Sequence, residues 1–594
     1  MTQTLGTGTT TIATLLPRAA ELYGDRSATS VKQGDNWVQQ SYNELLDEST
    51  AVGLGLIALG IQPGERVCII GDTSRPWSVV DFGATRAGAI VVPIYQTNSP
   101  TECEWVISDS GAVAIFVENA AQAAKIAEIR DRVPALAHVI VWDGEAEGAT
   151  PIAEFTAAGA GVDPAELTAR AEAVKPEDPY TIIYTSGTTG PPKGCVLSHG
   201  NYRAIVDSSL ESGIVEEGED VEGEILYCFL PLAHSFARLM QLTAFDSGIV
   251  LAYFGGDTKA VIGEIQEVKP SILPSVPRIF EKIFTIALQM AGAETVAKAT
   301  DVGLKVQALN AAGQPIPAEL QAGYDELEGR LFGLVRGLFG GRLRRAITGA
   351  APLGIDIISF FTACGVPLMQ GYGMTETATA TSCCTPEDNK LGSVGKPLPG
   401  VEAKLGDDGE LLIRGKNVFQ GYWHNDAATA ETLTDGWLHT GDLAEIDADG
   451  FISIVGRKKD IIITAGGKNL TPANIEAELK LHPLVSQVVM HGDRRPYPVA
   501  LVTLDPESAP QWAEQNGLPT DLAELSKQPK VIAEFQAALD AANAHYAQVE
   551  QIKKFTILPR DFSQETGELT PTLKVKRNVV EQMYATALDA MYEG

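Results

Sequence analysis

The chain is poor in basic residues, in cysteine and in long apolar runs, and each shortage excludes something. Lys and Arg together number 45 against 76 Asp and Glu, a formal net charge of −31 over 594 residues. Such a surface repels a phosphate backbone, so no nucleic-acid partner is expected, and an anionic substrate must be met by a local basic site. The seven cysteines are an odd count without small-domain spacing, Cys383 and Cys384 being adjacent. That excludes a disulfide scaffold and a paired zinc knuckle, and suits reduced thiols in a cytoplasmic protein. No run approaches the ~18 apolar residues of a membrane span. Met1 to Pro17 contains no basic residue, unlike a secretory signal. No Gly-Lys-Ser/Thr phosphate loop and no solenoid-period repeat occurs.

What is there is length and apolar content. An apolar share of 45% and a charged share of 20% describe a globular chain, and 594 residues exceed what one core supports. In residues 1–175, Arg66-Val67-Cys68-Ile69-Ile70, 89–94, 113–117 and 139–142 read as strands; 42–60, 76–88 and 120–132 between them read as helices. This alternation predicts an α/β fold of mainly parallel sheets covered by helices. Residues 144–164, rich in Ala and Gly, read as a loose surface connection, and His199-Gly200-Asn201 as a helix cap. The turn-punctuated segments 392–400 and 409–415 predict a small antiparallel subdomain.

One stretch organises the rest: Tyr184-Thr185-Ser186-Gly187-Thr188-Thr189-Gly190-Pro191-Pro192-Lys193-Gly194. An apolar, β-branched strand runs into it. Its glycines let successive backbone N–H groups turn towards one anion, its hydroxyls add neutral donors, and Lys193 adds a point charge. Such a loop suits a polyphosphate.

This loop resembles the phosphate loop of the adenylate-forming superfamily, which includes acyl-CoA synthetases, peptide-synthetase adenylation domains and luciferases. Further stations of that family follow in order over about residues 40–580. Ile347-Thr348-Gly349-Ala350-Ala351-Pro352 and Gln370-Gly371-Tyr372-Gly373-Met374-Thr375-Glu376 resemble the segments that sandwich adenine. The resemblance implies nucleotide contacts at Thr185, Ser186, Gly187, Thr188, Thr189, Gly190 and Lys193, at Gly349, Ala350 and Ala351, and at Gln370, Gly371, Tyr372 and Thr375. It implies Mg²⁺ on Glu376, with Thr185 as second oxygen, which agrees with the ion's preference for hard oxygens. Asp442 resembles the ribose clamp, with Arg457 reaching the same sugar and Lys459 as hinge and, with Lys574, a further nucleotide contact. Lys574 matches the C-terminal catalytic lysine, although Thr572-Leu573-Lys574 stands where Ser-Gly-Lys is usual and Lys576 is a near neighbour. Lys574, Glu376 and Lys193 are the expected catalytic residues. His234, in Leu230-Pro231-Leu232-Ala233-His234, stands open as pocket lining or base; with Gly466, Gly467 and Lys468 it is expected along the acyl and CoA passage.

The implied architecture is a large multi-subdomain N-terminal domain (1–455) with helix-covered, mainly parallel sheets and a small β subdomain. A hinge (456–459) and a small mobile α+β C-terminal domain (460–594) follow. Val276-Pro277-Arg278-Ile279-Phe280-Glu281-Lys282 and the insertion after it resemble the long-chain fatty acyl-CoA synthetase branch. Residues 331–345 there read either as a helix packed on the core or as a basic-apolar patch for a tunnel mouth or membrane surface. The expected substrates are a long-chain fatty acid, ATP and CoA, with Mg²⁺ as cofactor; peripheral membrane contact and a homodimer stay open. The alternatives are a fatty acyl-AMP ligase loading a carrier protein, an aryl or amino-acid adenylating enzyme, and an idle acyl- or nucleotide-binding module. The first usually carries an insertion after the hinge, which 460–475 lacks, and the last is disfavoured by intact Lys193, Glu376, Asp442 and Lys574.

Overall fold

Eight strands make the first sheet of the computed structural model, which describes residues 6–185, 191–215, 222–465, 469–570 and 573–593. From one edge they run Gly421–Tyr422, Lys193–Ser198, Pro179–Thr185, Ile90–Ile94, Arg66–Ile70, Ala114–Val117, His138–Val141 and Thr150–Pro151. The pairs from Pro179–Thr185 onward are parallel; Lys193–Ser198 turns back antiparallel on Pro179–Thr185 and takes Gly421–Tyr422 on its other side. Val67 to Ile70 are wholly buried, because helices cover both faces of a parallel sheet and leave no solvent-facing register. The helices start where the sequence supplies caps. Ser41 and Glu44 exchange side chain-to-backbone bonds at the head of Tyr42–Ala58, and Ser99 and Glu102 do so at Pro100–Ser110.

A nine-stranded sheet packs beside it, with a parallel centre of Leu368–Tyr372, Arg345–Thr348, Ile272–Ser275, Ile225–Cys228 and Val250–Tyr253. Ser27–Gln33 extends it in parallel; Asn36–Ser41 and, at the far edge, Ser382–Cys383 and Lys396–Pro397 are antiparallel. The two sheets meet across a dry charge network. Arg238, on helix Ser235–Ser247, pairs with Asp81 of helix Arg75–Arg86 and donates to Thr181 Oγ1 at 2.6 Å, and none of the three is more than 1% exposed. A five-stranded antiparallel sheet of Val401–Leu405, Glu410–Gly415, Trp437–Ile446, Leu433–Thr434 and Ile452–Arg457 closes this large N-terminal α/β domain.

After the 3₁₀ turn Lys458–Asp460 the small C-terminal domain has its own sheet of Val485–His491, Val499–Leu504 and Lys554–Ile557, covered by helices Pro472–Leu479 and Pro529–Asn543. It rests on helix Pro277–Ala291: Arg278 pairs with Asp505, and Lys282 with Glu507 at 2.9 Å.

The expected α/β class holds, with more antiparallel edges than predicted. Two local expectations change, and a third region follows one of its two readings. Residues 144–164 are not a loose connection: Thr150–Pro151 joins the sheet edge and helix Ile152–Ala158 drives Phe155 against Phe116, ring centroids 5.3 Å apart. The cap at 198–201 is Ser198, whose side chain accepts from Asn201, so His199 is the first helical residue. In the 331–345 region Leu331, Phe332, Val335 and Phe339 are buried, Arg336 pairs with Glu328, and Arg344 pairs with Glu224 at 3.0 Å. The packed-helix reading describes the buried face of this region. Among the described residues all seven cysteines are free and buried, and no helix is long and apolar enough to cross a membrane.

Candidate active site

Several of the predicted residues, Tyr372, Glu376, Asp442, Arg457 and Lys574 among them, come together near the carboxyl ends of the parallel strands, where open α/β sheets bind ligands. At one end, Arg345–Thr348 and Leu368–Tyr372 run side by side with Thr348 opposite Gln370. This brings Gly349 against the Gly371 backbone. A Cβ on Gly349 would lie 3.1 Å from the Gly371 carbonyl oxygen, so the approach needs glycine, and Ala350 takes φ +69° just beyond. Gln370 Nε2 donates to the Ser393 carbonyl at 3.1 Å. The Tyr372 hydroxyl donates to Asp442 Oδ2 at 2.6 Å and Arg457 Nε to Asp442 Oδ1 at 2.8 Å. Asp442 and Arg457 are direct cross-strand partners, so the antiparallel register itself sets the carboxylate-guanidinium pair. A planar carboxylate held at both oxygens presents its remaining lone pairs in one direction, which suits a vicinal diol.

At the other end, Thr185 and Lys193 face each other where strands Pro179–Thr185 and Lys193–Ser198 leave and rejoin the phosphate loop. Ser186, Gly187, Thr188, Thr189 and Gly190 lie outside the described residues. The trailing limb is braced by Trp105, whose indole N–H donates to the Pro192 carbonyl at 2.9 Å. Glu376, on the 3₁₀ turn Thr375–Thr377 with Thr375 beside it, is 7% exposed. The turn is tight: a Cβ on Gly373 would fall 1.8 Å from the Thr379 carbonyl oxygen, and Ala378 and Thr379 take φ +48° and +96°. The Cys195 thiol lies 3.8 Å from Thr185 Oγ1 and hydrogen-bonds the Glu376 carboxylate; burial first, then that carboxylate, pushes its pKa well up and keeps it neutral. Thr185 and Glu376 thus share a neighbour. A buried carboxylate with a hydroxyl close by is a hard-oxygen donor set that fits Mg²⁺ when phosphates supply further ligands. Among the described residues no group of three or more His, Cys, Asp and Glu forms a self-sufficient metal site.

Lys574 reaches this site from the C-terminal domain. Its loop is closed by the Leu569–Val575 bridge and by Lys574 N–H donating to Thr570 Oγ1 at 3.0 Å, while Lys576 N–H is tied back to the Glu568 carbonyl at 2.7 Å. The Lys574 ammonium feels the charges of Arg457, Asp442 and Glu376. Lys574 as a whole is exposed, while its ammonium is partly desolvated by the residues it faces. That desolvation, and then Arg457, lower its pKa to about 8, against the pull of Asp442 and Glu376. Leu573, in the usual glycine position, is held at φ +60°.

His234 is the N-cap of helix Ser235–Ser247, its Nδ1 accepting from Phe236 N–H at 3.2 Å. Removal from solvent, and then the Lys574 ammonium, lower its pKa to about 3. The imidazole is therefore neutral and weakly basic at neutral pH. Lys459 stands exposed on the turn Lys458–Asp460, whose Lys458 is anchored to Asp408 at 2.7 Å and Glu410 at 3.1 Å. Gly466, Gly467 and Lys468 lie outside the described residues.

Sequence reasoning missed Cys195, Trp105 and above all Tyr422, whose hydroxyl donates to Glu376 Oε1 at 2.7 Å. Tyr422 is 46 positions from Glu376, and no spacing rule connects them.

The kinship of the chain matches this geometry. Residues 16–423 match the family model described as AMP-binding enzyme, and residues 459–594 match the AMP-binding enzyme C-terminal domain. The long-chain-fatty-acid–CoA ligase FadD15 of Mycobacterium bovis is 42% identical over 564 residues, covering 94% of this chain and 92% of the relative. The long-chain-fatty-acid–CoA ligase ACSBG2 of Xenopus laevis is 32% identical, covering 98% and 84%. Among solved structures, the A domain of a Segniliparus rugosus carboxylic acid reductase, in complex with AMP and a co-purified carboxylic acid, superposes with TM-score 0.73 at 22% identity, covering 98% of this chain and 94% of that one. The chain belongs to the AMP-binding enzyme family.

Proposed function

We propose that this protein is an ATP-dependent ligase that joins a long-chain fatty acid to coenzyme A by way of an acyl-adenylate. The carboxylate oxygen of the acid attacks the α-phosphorus of ATP and pyrophosphate leaves; the CoA sulfur then attacks the acyl carbon and AMP leaves. The observation that carries the reading is the convergence of Lys574 with Asp442, Arg457 and Glu376 at one site, in a chain whose relatives at 42% and 32% identity are named long-chain-fatty-acid–CoA ligases.

In this reading Gly349 to Ala351 and Tyr372 flank the base, Asp442 and Arg457 hold the ribose, and Thr185 and Lys193 with the loop between them cradle the phosphates. Glu376 and Thr185 would hold Mg²⁺, which would supply charge neutralisation at the phosphates. Lys574 bridges the carboxylate and the α-phosphate, aligning the attack and stabilising charge as it grows. The thiol needs the space that Lys574 fills, so the C-terminal domain turns about Lys459 between steps, and 466–468 then line the CoA passage.

Pyrophosphate exchange into ATP across acids from acetate to stearate tests this. Exchange is expected with long aliphatic acids without CoA, and acyl-CoA only with CoA. An enzyme inert towards every aliphatic acid, or one that charges a carrier protein and ignores CoA, overturns it. Lys574→Ala is expected to abolish acyl-AMP formation while largely sparing CoA attack on supplied acyl-AMP; equal loss of both half-reactions contradicts the role of Lys574.

A further inference from the structure

Glu376 is gripped from one side by a single short segment. Phe419 N–H donates to the Glu376 carbonyl at 2.8 Å, and Asn417 Nδ2 donates to the carbonyls of Thr377 at 3.2 Å and Ala380 at 2.9 Å. The segment is itself fastened to helix His199–Glu211 by Asn201, whose Nδ2 donates to the carbonyls of Lys416 and Val418 at 2.7 and 2.9 Å. It ends in the edge strand Gly421–Tyr422, where Tyr422 sits opposite Cys195, two residues from Lys193. From there Tyr422 reaches both charged groups of the phosphate end. Its hydroxyl donates to Glu376 Oε1 at 2.7 Å, and Lys193 Nζ stands 5.0 Å from its ring centroid.

We propose that Tyr422 is a positioning residue that couples the lysine of the phosphate loop to the metal-binding carboxylate. The phenol hydroxyl, a neutral donor, fixes the rotamer of Glu376 without cancelling its charge. A carboxylate offers about four lone-pair sites, so one hydrogen bond leaves capacity for a cation. The face of the same ring attracts the Lys193 ammonium electrostatically and keeps it off Glu376, a pairing that would block the metal. A phenylalanine could do only the second job and an aliphatic residue neither. The inference rests on the assignment of Glu376 to Mg²⁺ made above.

The test is calorimetric binding of ATP, without acid or turnover, at a series of Mg²⁺ concentrations and in EDTA, for the parent, Tyr422→Phe, Tyr422→Leu, Glu376→Gln and the Glu376→Gln/Tyr422→Phe double variant. Tyr422→Phe is expected to raise the Mg²⁺ concentration for half-maximal binding about tenfold, the size of one hydrogen bond to a charged group. Its affinity in EDTA stays at the parental level. Tyr422→Leu also weakens binding in EDTA, because Lys193 loses its seat. In the Glu376→Gln background the Phe substitution adds nothing further. If Glu376→Gln shifts the Mg²⁺ dependence and Tyr422→Phe does not, or if the two losses add, the coupling is refuted while the metal assignment stands. A flat response to Glu376→Gln refutes the assignment and the coupling with it. Should Tyr422→Phe simply loosen the fold, binding falls equally with and without Mg²⁺, and that too refutes the proposal.

Discussion

Lys574 is an exposed residue whose ammonium is partly desolvated and repelled by Arg457, and its chemistry follows from that. With a pKa lowered to about 8, the ammonium is fully present below that pH and is lost as pH rises through it. In this reading the acyl-AMP step needs the charged form. The second-order rate of pyrophosphate exchange with respect to ATP is therefore expected to fall above about pH 8. The same profile for Lys574→Arg, which stays charged across this range, is expected to lose the limb at a lower plateau. An unchanged limb in the Arg variant assigns the titration elsewhere. Its neighbour Leu573, at φ +60° and 56% exposed, occupies a conformation that suits glycine. Leu573→Gly is expected to cost no stability in thermal unfolding. Leu573→Val, branched at Cβ, is expected to lose about 1 kcal/mol or more. Equal tolerance of both would mean that the backbone relaxes there.

Among elements, the turn from Gly373 to Ala380 carries the most constraint, because the carboxylate of Glu376 has to face the phosphate loop from a strand end. Two consecutive residues with positive φ make the reversal, and Asn417 and Phe419 satisfy its carbonyls. Backbone strain of this kind persists only where surrounding bonds over-determine it. Gly373→Ala places a Cβ 1.8 Å from a carbonyl oxygen, so the turn must open. The expected outcome is loss of Mg²⁺-dependent ATP binding with most of the far-UV circular dichroism intact, since the sheets on either side do not depend on it. Parental Mg²⁺ dependence in that variant would show that the turn has room the geometry denies.

At the scale of the molecule, Lys574 reaches the site because the C-terminal domain is docked on helix Pro277–Ala291 through Arg278–Asp505 and Lys282–Glu507. Asp505 is pre-set for this by accepting from Glu507 and Ser508 N–H at 3.0 and 2.9 Å. Half-exposed ion pairs contribute little singly, about 0.2–1 kcal/mol, but that is enough to bias the turning of the small domain proposed above. Arg278→Ala/Lys282→Ala is expected to slow acyl-AMP formation about fivefold relative to CoA attack on supplied acyl-AMP, with the gap shrinking at high salt. Equal slowing of both half-reactions would show that the pairs do not favour one docking over the other.

Much of this was legible in order along the chain. The alternating apolar runs at 66–70 and 90–94 and the helices between them announced the parallel sheet. The phosphate-type loop ending in Lys193 was legible as local chemistry, because a loop that wraps an anion is built from neighbours in sequence, and the family followed from its resemblance and the ordered motifs around Glu376, Asp442 and Lys574. The polar hairpin 27–41 and the packed helix at 152–158 were not, since their partners, such as Phe116 for Phe155, lie far along the chain. The amino-acid sequence by itself determined which groups could do the chemistry. Only the tertiary structure decided which groups hold them there: Tyr422 under Lys193 and against Glu376, Cys195 between Glu376 and Thr185, and Arg278 and Lys282 under the docked domain. Motif chemistry is local along the backbone, whereas orientation is set by hydrogen bonds and charges between strands whose separation in sequence carries no period to read.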